Sequence, residues 1–115
     1  MCQCVGGDLA IIRSQDENSF ILKLLRKQKV VQREGAWLGL YRNTSDGDAF
    51  YWVDDTPLVG HYSAWANNEP SNLDEKCVKM YAASYKPGEW NDMQCSWSEA
   101  HQSRAPVVVC QKRLT

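Results

Sequence analysis

The sequence predicts a small α+β domain that disulfide bonds hold together. Three observations support this class: a capped amphipathic helix near the start, a series of short strand patterns after it, and five cysteines among 115 residues. A chain of this length can bury one modest core but not two. We therefore expect residues 1–115 to form a single domain.

The helix is predicted to begin next to Ser14. Ser14, followed three residues later by Glu17, forms the capping-box pattern, in which the two side chains satisfy N–H groups at the helix start. Gly35 is expected to end the helical pattern. Apolar residues recur at helical spacing, which predicts a core-facing stripe, and they are Phe20, Ile21, Leu24, Leu25 and Val31.

Short segments rich in aromatic and β-branched residues follow the helix and predict strands. Turn residues separate them, most clearly in Asn43–Asp48. Residues 54–77 form a long polar segment, and a loop of that length in a compact domain is usually functional. The predicted strands are Ala36–Tyr41, Phe50–Val53, Val78–Ala82, Glu89–Trp90 and Val107–Gln111.

The cysteines predict the compartment as well as the fold. Four of the five could form two disulfides, and the fifth would be unpaired or bonded to a partner outside this sequence. Five tryptophans and a loop-rich second half fit a secreted module better than an intracellular protein with free thiols. Cys2 and Cys4 with His61 and His101 lack the paired spacing typical of zinc sites.

The charge balance excludes several partners. The net charge is −1, from 13 basic and 14 acidic residues, and neither sign forms a long block. Nucleic acid and anionic membranes both require a basic face, so neither is expected as a partner. The apolar runs are too short to span a bilayer, and we expect no signal peptide within these residues. We expect a fragment of a longer precursor, either secreted or the extracellular domain of a cell-surface protein.

Two polar loops carry the side chains with the most specific chemistry. They flank the cysteines Cys77 and Cys95, and five of their side chains offer oxygen donors, three of them carboxylates. A hard cation such as Ca²⁺ takes about 6–8 oxygen ligands, so this set could hold one and leave positions for hydroxyls of a bound ligand. The five residues are Glu69, Ser71, Glu75, Asn91 and Asp92.

Taken together, these motifs resemble the C-type lectin-like domain. The resemblance runs from residue 2 to residue 113 in the order that the family shows. It rests on the cysteines and on Gly6–Ile12, Trp37–Leu40, Phe50–Trp52, Trp65, Glu69–Ser71 and Trp90–Asp92. It implies the C-type lectin fold, with two helices, two small antiparallel sheets and a long irregular calcium-binding loop.

The resemblance also implies the disulfide pairing, Cys77 with Cys95 and Cys2 with Cys110, which leaves Cys4 spare. The family's opening strand and most of its first helix lie ahead of this first cysteine and are missing from the sequence. We therefore expect a shortened domain of lower stability, or one that another chain or further residues complete.

In sugar-binding members of the family, the residues that match the five oxygen donors ligate calcium and hydrogen-bond the sugar. The resemblance thus assigns both roles to Glu69, Ser71, Glu75, Asn91 and Asp92, and it implies a cis Glu69–Pro70 bond. Glu69 favours mannose-type sugars over galactose, although Ser71 departs from both common motifs. A second, auxiliary calcium site near Asn43, Asp46 and Lys76 is expected to be weak or missing.

The function that the resemblance implies is calcium-dependent carbohydrate binding in innate immunity, with several copies needed for useful avidity. The alternative is a calcium-independent protein-interaction domain on the same fold, and a role in matrix assembly comes third. We do not expect an enzyme. His61 and His101 lack an evident catalytic partner, and Glu69 and Glu75 serve better as metal ligands than as an acid/base pair.

Overall fold

The computed structural model describes residues 7–27, 35–82, 87–96 and 107–112. These ranges contain one helix and two sheets, which confirms the α+β class; a second helix is not among the described residues. The helix is short and polar, and within the described ranges no helix could cross a membrane. The elements in chain order are β1 (Gly7–Leu9), α1 (Gln15–Lys27), β2 (Ala36–Asn43), β3 (Ala49–Trp52), β4 (Cys77–Met80), β5 (Trp90–Met93), β6 (Val107–Val108) and β7 (Cys110–Lys112).

Helix α1 begins as the capping pattern predicts. The Glu17 N–H donates to Ser14 Oγ at 3.2 Å, and Glu17 Oε1 accepts from the Arg13 N–H at 2.6 Å. Leu25 is buried, and Ile21 packs against the core. Val31 lies outside the described residues, and Gly35, where the pattern was predicted to end, is described and is not helical.

Phe20 corrects the predicted apolar stripe. Its side chain is 64% exposed. Phe20 lies five residues before Leu25, which is about 140° around a helix of 3.6 residues per turn, so the two cannot face the same core. Phe20 instead lines an open cavity of about 390 Å³ between α1 and the segment around Cys110.

The larger sheet has the strand order β3-β2-β4-β5, all antiparallel, and the short β6 pairs with β2 in parallel. The turn after Asn43 connects β2 to β3, as predicted. The predicted strands are present, with bounds shifted by a few residues. The predicted strand Val107–Gln111 is in fact two strands with different partners, since β6 pairs with β2 whereas β7 pairs with β1.

The smaller sheet joins β1 to β7 antiparallel, with Leu9 opposite Cys110. Strand β1 was not predicted, because three residues that include Gly7 and Asp8 carry almost no strand propensity. Gly39 of β2 lies against the end of β1. A Cβ at position 39 would stand 2.8 Å from the carbonyl oxygen of Leu9, so the close approach of the two segments requires glycine there.

The core is centred on the buried indoles of Trp52 and Trp90, which meet edge to face at 5.7 Å between ring centroids. Trp90 Nε1 donates to Asn18 Oδ1 at 2.9 Å, and Asn18 Nδ2 donates to the carbonyl of Gly88 at 2.7 Å. These bonds satisfy a buried amide and tie α1 to β5. Trp37 is buried as well.

The Cys77–Cys95 disulfide is present, with 5.1 Å between the Cα atoms. It joins the first residue of β4 to the segment that follows β5, and so fixes the two strands that border the polar loops. Cys110 is disulfide-bonded too. Cys2 and Cys4 lie outside the described residues, so the Cys2–Cys110 pairing stays a prediction.

Candidate metal-binding site

The two polar loops of the sequence meet at one end of the larger sheet. The backbone N–H of Ser71 donates to both carboxylate oxygens of Asp92, at 3.1 and 3.2 Å. The N–H of Asn72 donates to Asp92 Oδ2 at 3.2 Å. These bonds fasten residues 69–76, which we call the site loop, to strand β5.

The site loop is shaped by local turns. Asn68 has a φ of 66°. The Glu69–Pro70 peptide bond is cis, as the resemblance implies. The Glu69 N–H donates to the carbonyl of Ala66 at 3.0 Å. Further along, Asn72 Oδ1 accepts from the Asp74 N–H at 2.9 Å, which is a local side-chain turn typical of asparagine.

Strand β5 carries the other two predicted ligands. Trp90 and Asp92 are fully buried, whereas Asn91 and Met93 are partly exposed. Because successive side chains of a strand point to opposite faces, β5 directs Asp92 inward and Asn91 outward. The structure therefore brings Asp92 to the site loop through hydrogen bonds, and places Asn91 beside it on the other face of the strand.

The three carboxylates of the predicted set influence one another. Partial burial raises the pKa of Glu75, and the negative charges of Asp92 and Glu69 raise it further, while Arg42 opposes them. Glu69 is half-buried, and its Oε1 atom is shielded from solvent. Mutual repulsion of this kind favours a bound cation, which would relieve it.

Arg42 is the residue that the sequence analysis missed. It lies near the end of β2, and its side chain is only 5% exposed. Its Nη2 donates to Asp92 Oδ2 at 2.9 Å and to the carbonyl of Asn72 at 3.2 Å. Its Nε donates to the carbonyl of Glu75 at 3.2 Å. The two-residue period of a strand could have indicated this burial in advance. Arg42 follows Leu40 by two residues, so both side chains lie on the inward face of β2.

The predicted residues fit calcium in chemistry and in charge. All five offer oxygen, the donor that Ca²⁺ prefers. Glu69, Glu75 and Asp92 are three formal negative charges, and Arg42 compensates one of them. The remaining charge of −2 matches a divalent cation.

The convergence of these donors is partial. In the described part of the chain, no three His, Cys, Asp or Glu side chains form a metal-holding group by themselves. One reason is that the Asp92 carboxylate is turned toward Arg42 and the loop amides. A carboxylate has about four lone-pair positions, and Asp92 Oδ1 accepts one hydrogen bond, so it can still take a ligand.

Comparison with known proteins gives the family. The model of the Lectin C-type domain matches residues 1–102. The chain therefore belongs to the C-type lectin domain family. It is 32% identical over 94 residues to C-type lectin domain family 4 member C of Homo sapiens. The aligned region covers 82% of this chain but only 41% of that protein. The chain thus spans about two fifths of that relative.

Solved structures agree with this assignment. The carbohydrate-recognition domain of cow CD23, crystallised in the presence of a GlcNAc2Man3 oligosaccharide, is 34% identical with a TM-score of 0.58, over 78% of this chain and 61% of that one. The C-type lectin domain of murine dendritic cell inhibitory receptor 2, in complex with N-glycan, is 28% identical with a TM-score of 0.61, over 80% and 66%. Both matches place the fold among domains that were studied with glycans.

Proposed function

We propose that this domain binds carbohydrate through a calcium ion that Glu69, Ser71, Glu75, Asn91 and Asp92 hold. The observation that carries the proposal is the set of hydrogen bonds from the Ser71 and Asn72 amides to Asp92. These bonds hold two loops from distant parts of the sequence together, with their oxygen donors at one end of the sheet. Family membership and the glycan-associated structural relatives support the same function.

When bound, calcium would supply coordination positions for two adjacent hydroxyls of a sugar. The chain's own side chains would hydrogen-bond the same sugar. The carboxylates of Glu69 and Glu75 accept hydrogen bonds from sugar hydroxyls, and the amide of Asn91 can donate one. The shared hydrogen bonds with Asp92 keep these groups in register, which lowers the entropic cost of ordering them when ligand binds.

Mannose-type sugars are the preferred class under this proposal. Glu69 begins the loop motif, and a galactose site often adds an aromatic platform for the apolar sugar face. Asn72, Leu73 and Asp74 offer none, since the exposed side chain between the two polar ones is aliphatic. Trp97, a more distant aromatic candidate, lies outside the described residues. The mannose-containing oligosaccharide used with cow CD23 supports this preference.

The test is glycan binding measured with calcium and again after a chelator. Glu75→Gln removes one negative charge with almost no change in shape, and should reduce calcium affinity and sugar binding at least about tenfold, since a hydrogen-bonding charged ligand is lost. Asp74→Asn is the matched control, because Asp74 is an exposed carboxylate one residue away. Binding that survives chelation unchanged would overturn the proposal.

Localisation and biological setting are part of the same proposal. The Cys77–Cys95 disulfide supports a secreted protein or the extracellular part of a cell-surface one, since disulfides persist in oxidising compartments. Similarity to the dendritic cell inhibitory receptor 2 domain supports glycan recognition in innate immunity. Because one sugar in a shallow site binds weakly, several copies acting together would provide avidity.

One observation favours a second function, calcium-independent binding of a protein. Arg42 already provides Asp92 with a positive partner, so the site loop can fold with no metal. The site loop and the surface around it would then bind the protein partner. Titration calorimetry separates the two functions: no heat on adding calcium, with an unchanged thermal midpoint, would favour the protein partner.

A further inference from the structure

Arg42 is placed under the site loop in a way that the binding chemistry does not require. Its guanidinium contacts the Asp92 carboxylate and the backbone carbonyls of Asn72 and Glu75, at 2.9, 3.2 and 3.2 Å. Its own backbone N–H donates to the carbonyl of Lys76 at 2.9 Å. One residue of β2 thus holds three positions of the site loop and the acidic side chain on β5.

This set of contacts is the kind that a metal ion makes. A positive centre is surrounded by a carboxylate and by two backbone carbonyl oxygens, and that of Asn72 also accepts from the Glu75 N–H at 2.9 Å. The planar guanidinium suits the task because it directs several N–H groups to different acceptors at fixed angles. It also lies over the Phe50 ring, with Cζ 4.6 Å from the centroid, which adds a cation–π contact to the same side chain.

We infer that Arg42 is a positioning residue, which keeps the site loop in its binding conformation when no calcium is present. Calcium would then enter a loop that is already folded. Removal of the metal would abolish ligand binding while the backbone of residues 69–76 keeps its hydrogen bonds. The inference concerns the loop of the proposed function, and rests on that function only where it speaks of calcium.

The loop amides offer a direct measurement. The Ser71 and Asn72 N–H groups donate to Asp92, so their exchange with deuterated solvent reports whether the loop stays attached to β5. In the unmodified protein with chelator, we expect both amides to stay protected, within about threefold of the rate with calcium. A large increase in exchange on chelation would overturn the inference.

Arg42→Met keeps the length of the side chain but removes its charge and its donors. In chelator, exchange at Ser71 and Asn72 should accelerate roughly a hundredfold, because removal of one partner from a buried ion pair is strongly disruptive. Arg13→Met is the matched control, since Arg13 pairs with Asp54 at the surface and should leave both amides unchanged. Unchanged protection in Arg42→Met would contradict the inference.

A replacement variant and a calcium titration complete the test. If Arg42→Met does not fold, Arg42→Lys replaces it, and should give intermediate protection because an ammonium provides charge without the planar fork. Calorimetry with calcium on the unmodified protein tests the proposed function separately. Absence of calcium binding would remove that function, and would leave the metal-free exchange result to decide the role of Arg42.

Discussion

Two arginine–aspartate pairs occupy opposite environments in this domain. Arg13 pairs with Asp54 at the surface, where their side chains are 38% and 34% exposed. Arg42 pairs with Asp92 beneath the site loop, where the side chains are 5% and 0% exposed. The chemical groups are the same, and only the surroundings differ.

Burial decides what such a pair can do. The surface pair connects the segment before α1 to the turn after β3, and water and salt screen it, so it is worth about 0–1 kcal/mol. The buried pair has lost its hydration and depends on its partners. Loss of either member leaves an uncompensated charge, which typically costs about 3–5 kcal/mol. Only the buried pair can determine whether a neighbouring loop is folded.

The largest expected effect comes from Asp92→Ala. This change leaves the Arg42 guanidinium unpaired and removes the acceptor of the Ser71 and Asn72 amides. We expect the free energy of unfolding, measured by denaturant titration in the presence of chelator, to fall by about 3–5 kcal/mol. Asp74→Ala should change it by less than about 0.5 kcal/mol, as is usual at the surface. A loss below about 1 kcal/mol for Asp92→Ala would show that the buried pair contributes no more to stability than the surface pair does.

A smaller effect is expected when both buried partners are replaced. Arg42→Met combined with Asp92→Leu removes the charges together, so no unpaired ion remains in the interior. The double variant should be more stable than Asp92→Ala by at least about 1 kcal/mol, although the loop amides and carbonyls still lose their partners. Equal stability of the two variants would mean that the hydrogen bonds of the loop, and not the charges, carry the energy.

The same contrast explains how far the sequence could predict the structure. The start of α1 follows from Ser14 and Glu17, which lie within one turn of each other. The Cys77–Cys95 disulfide followed from the resemblance and is present. Local sequence patterns alone were enough to predict most of the helix and strand assignments.

The buried pair could not be predicted in this way. Arg42 and Asp92 are 50 residues apart, and their contact depends on the packing of β2, β4 and β5 side by side. The sequence indicated that Asp92 belongs to an acidic set, but the cation opposite it comes from another strand. Phe20 illustrates the same limit, since its exposure depends on which side of α1 meets the sheet.

The smallest expected effect is the pH response of the surface pair. The pKa of Asp54 is lowered, first by the hydrogen bond from the Thr56 hydroxyl and also by the neighbouring charge of Arg13. A depressed pKa means that the folded state prefers the ionised form. The ionised Asp54 carboxylate, through Thr56 first and Arg13 second, therefore stabilises the fold above the ordinary pKa of about 3.9, and this contribution is lost as the pH falls through the lower folded pKa.

Asp54→Asn isolates this contribution, because asparagine keeps the shape but does not titrate. At neutral pH the variant should be slightly less stable than the unmodified protein, by less than about 1 kcal/mol. The difference should shrink toward zero as the pH falls below about 4, where Asp54 of the unmodified protein becomes protonated. Unfolding free energies measured across this range provide the check. A difference that stays constant with pH would show that the Asp54 side chain acts through its shape, and that its negative charge contributes nothing through Thr56 or Arg13.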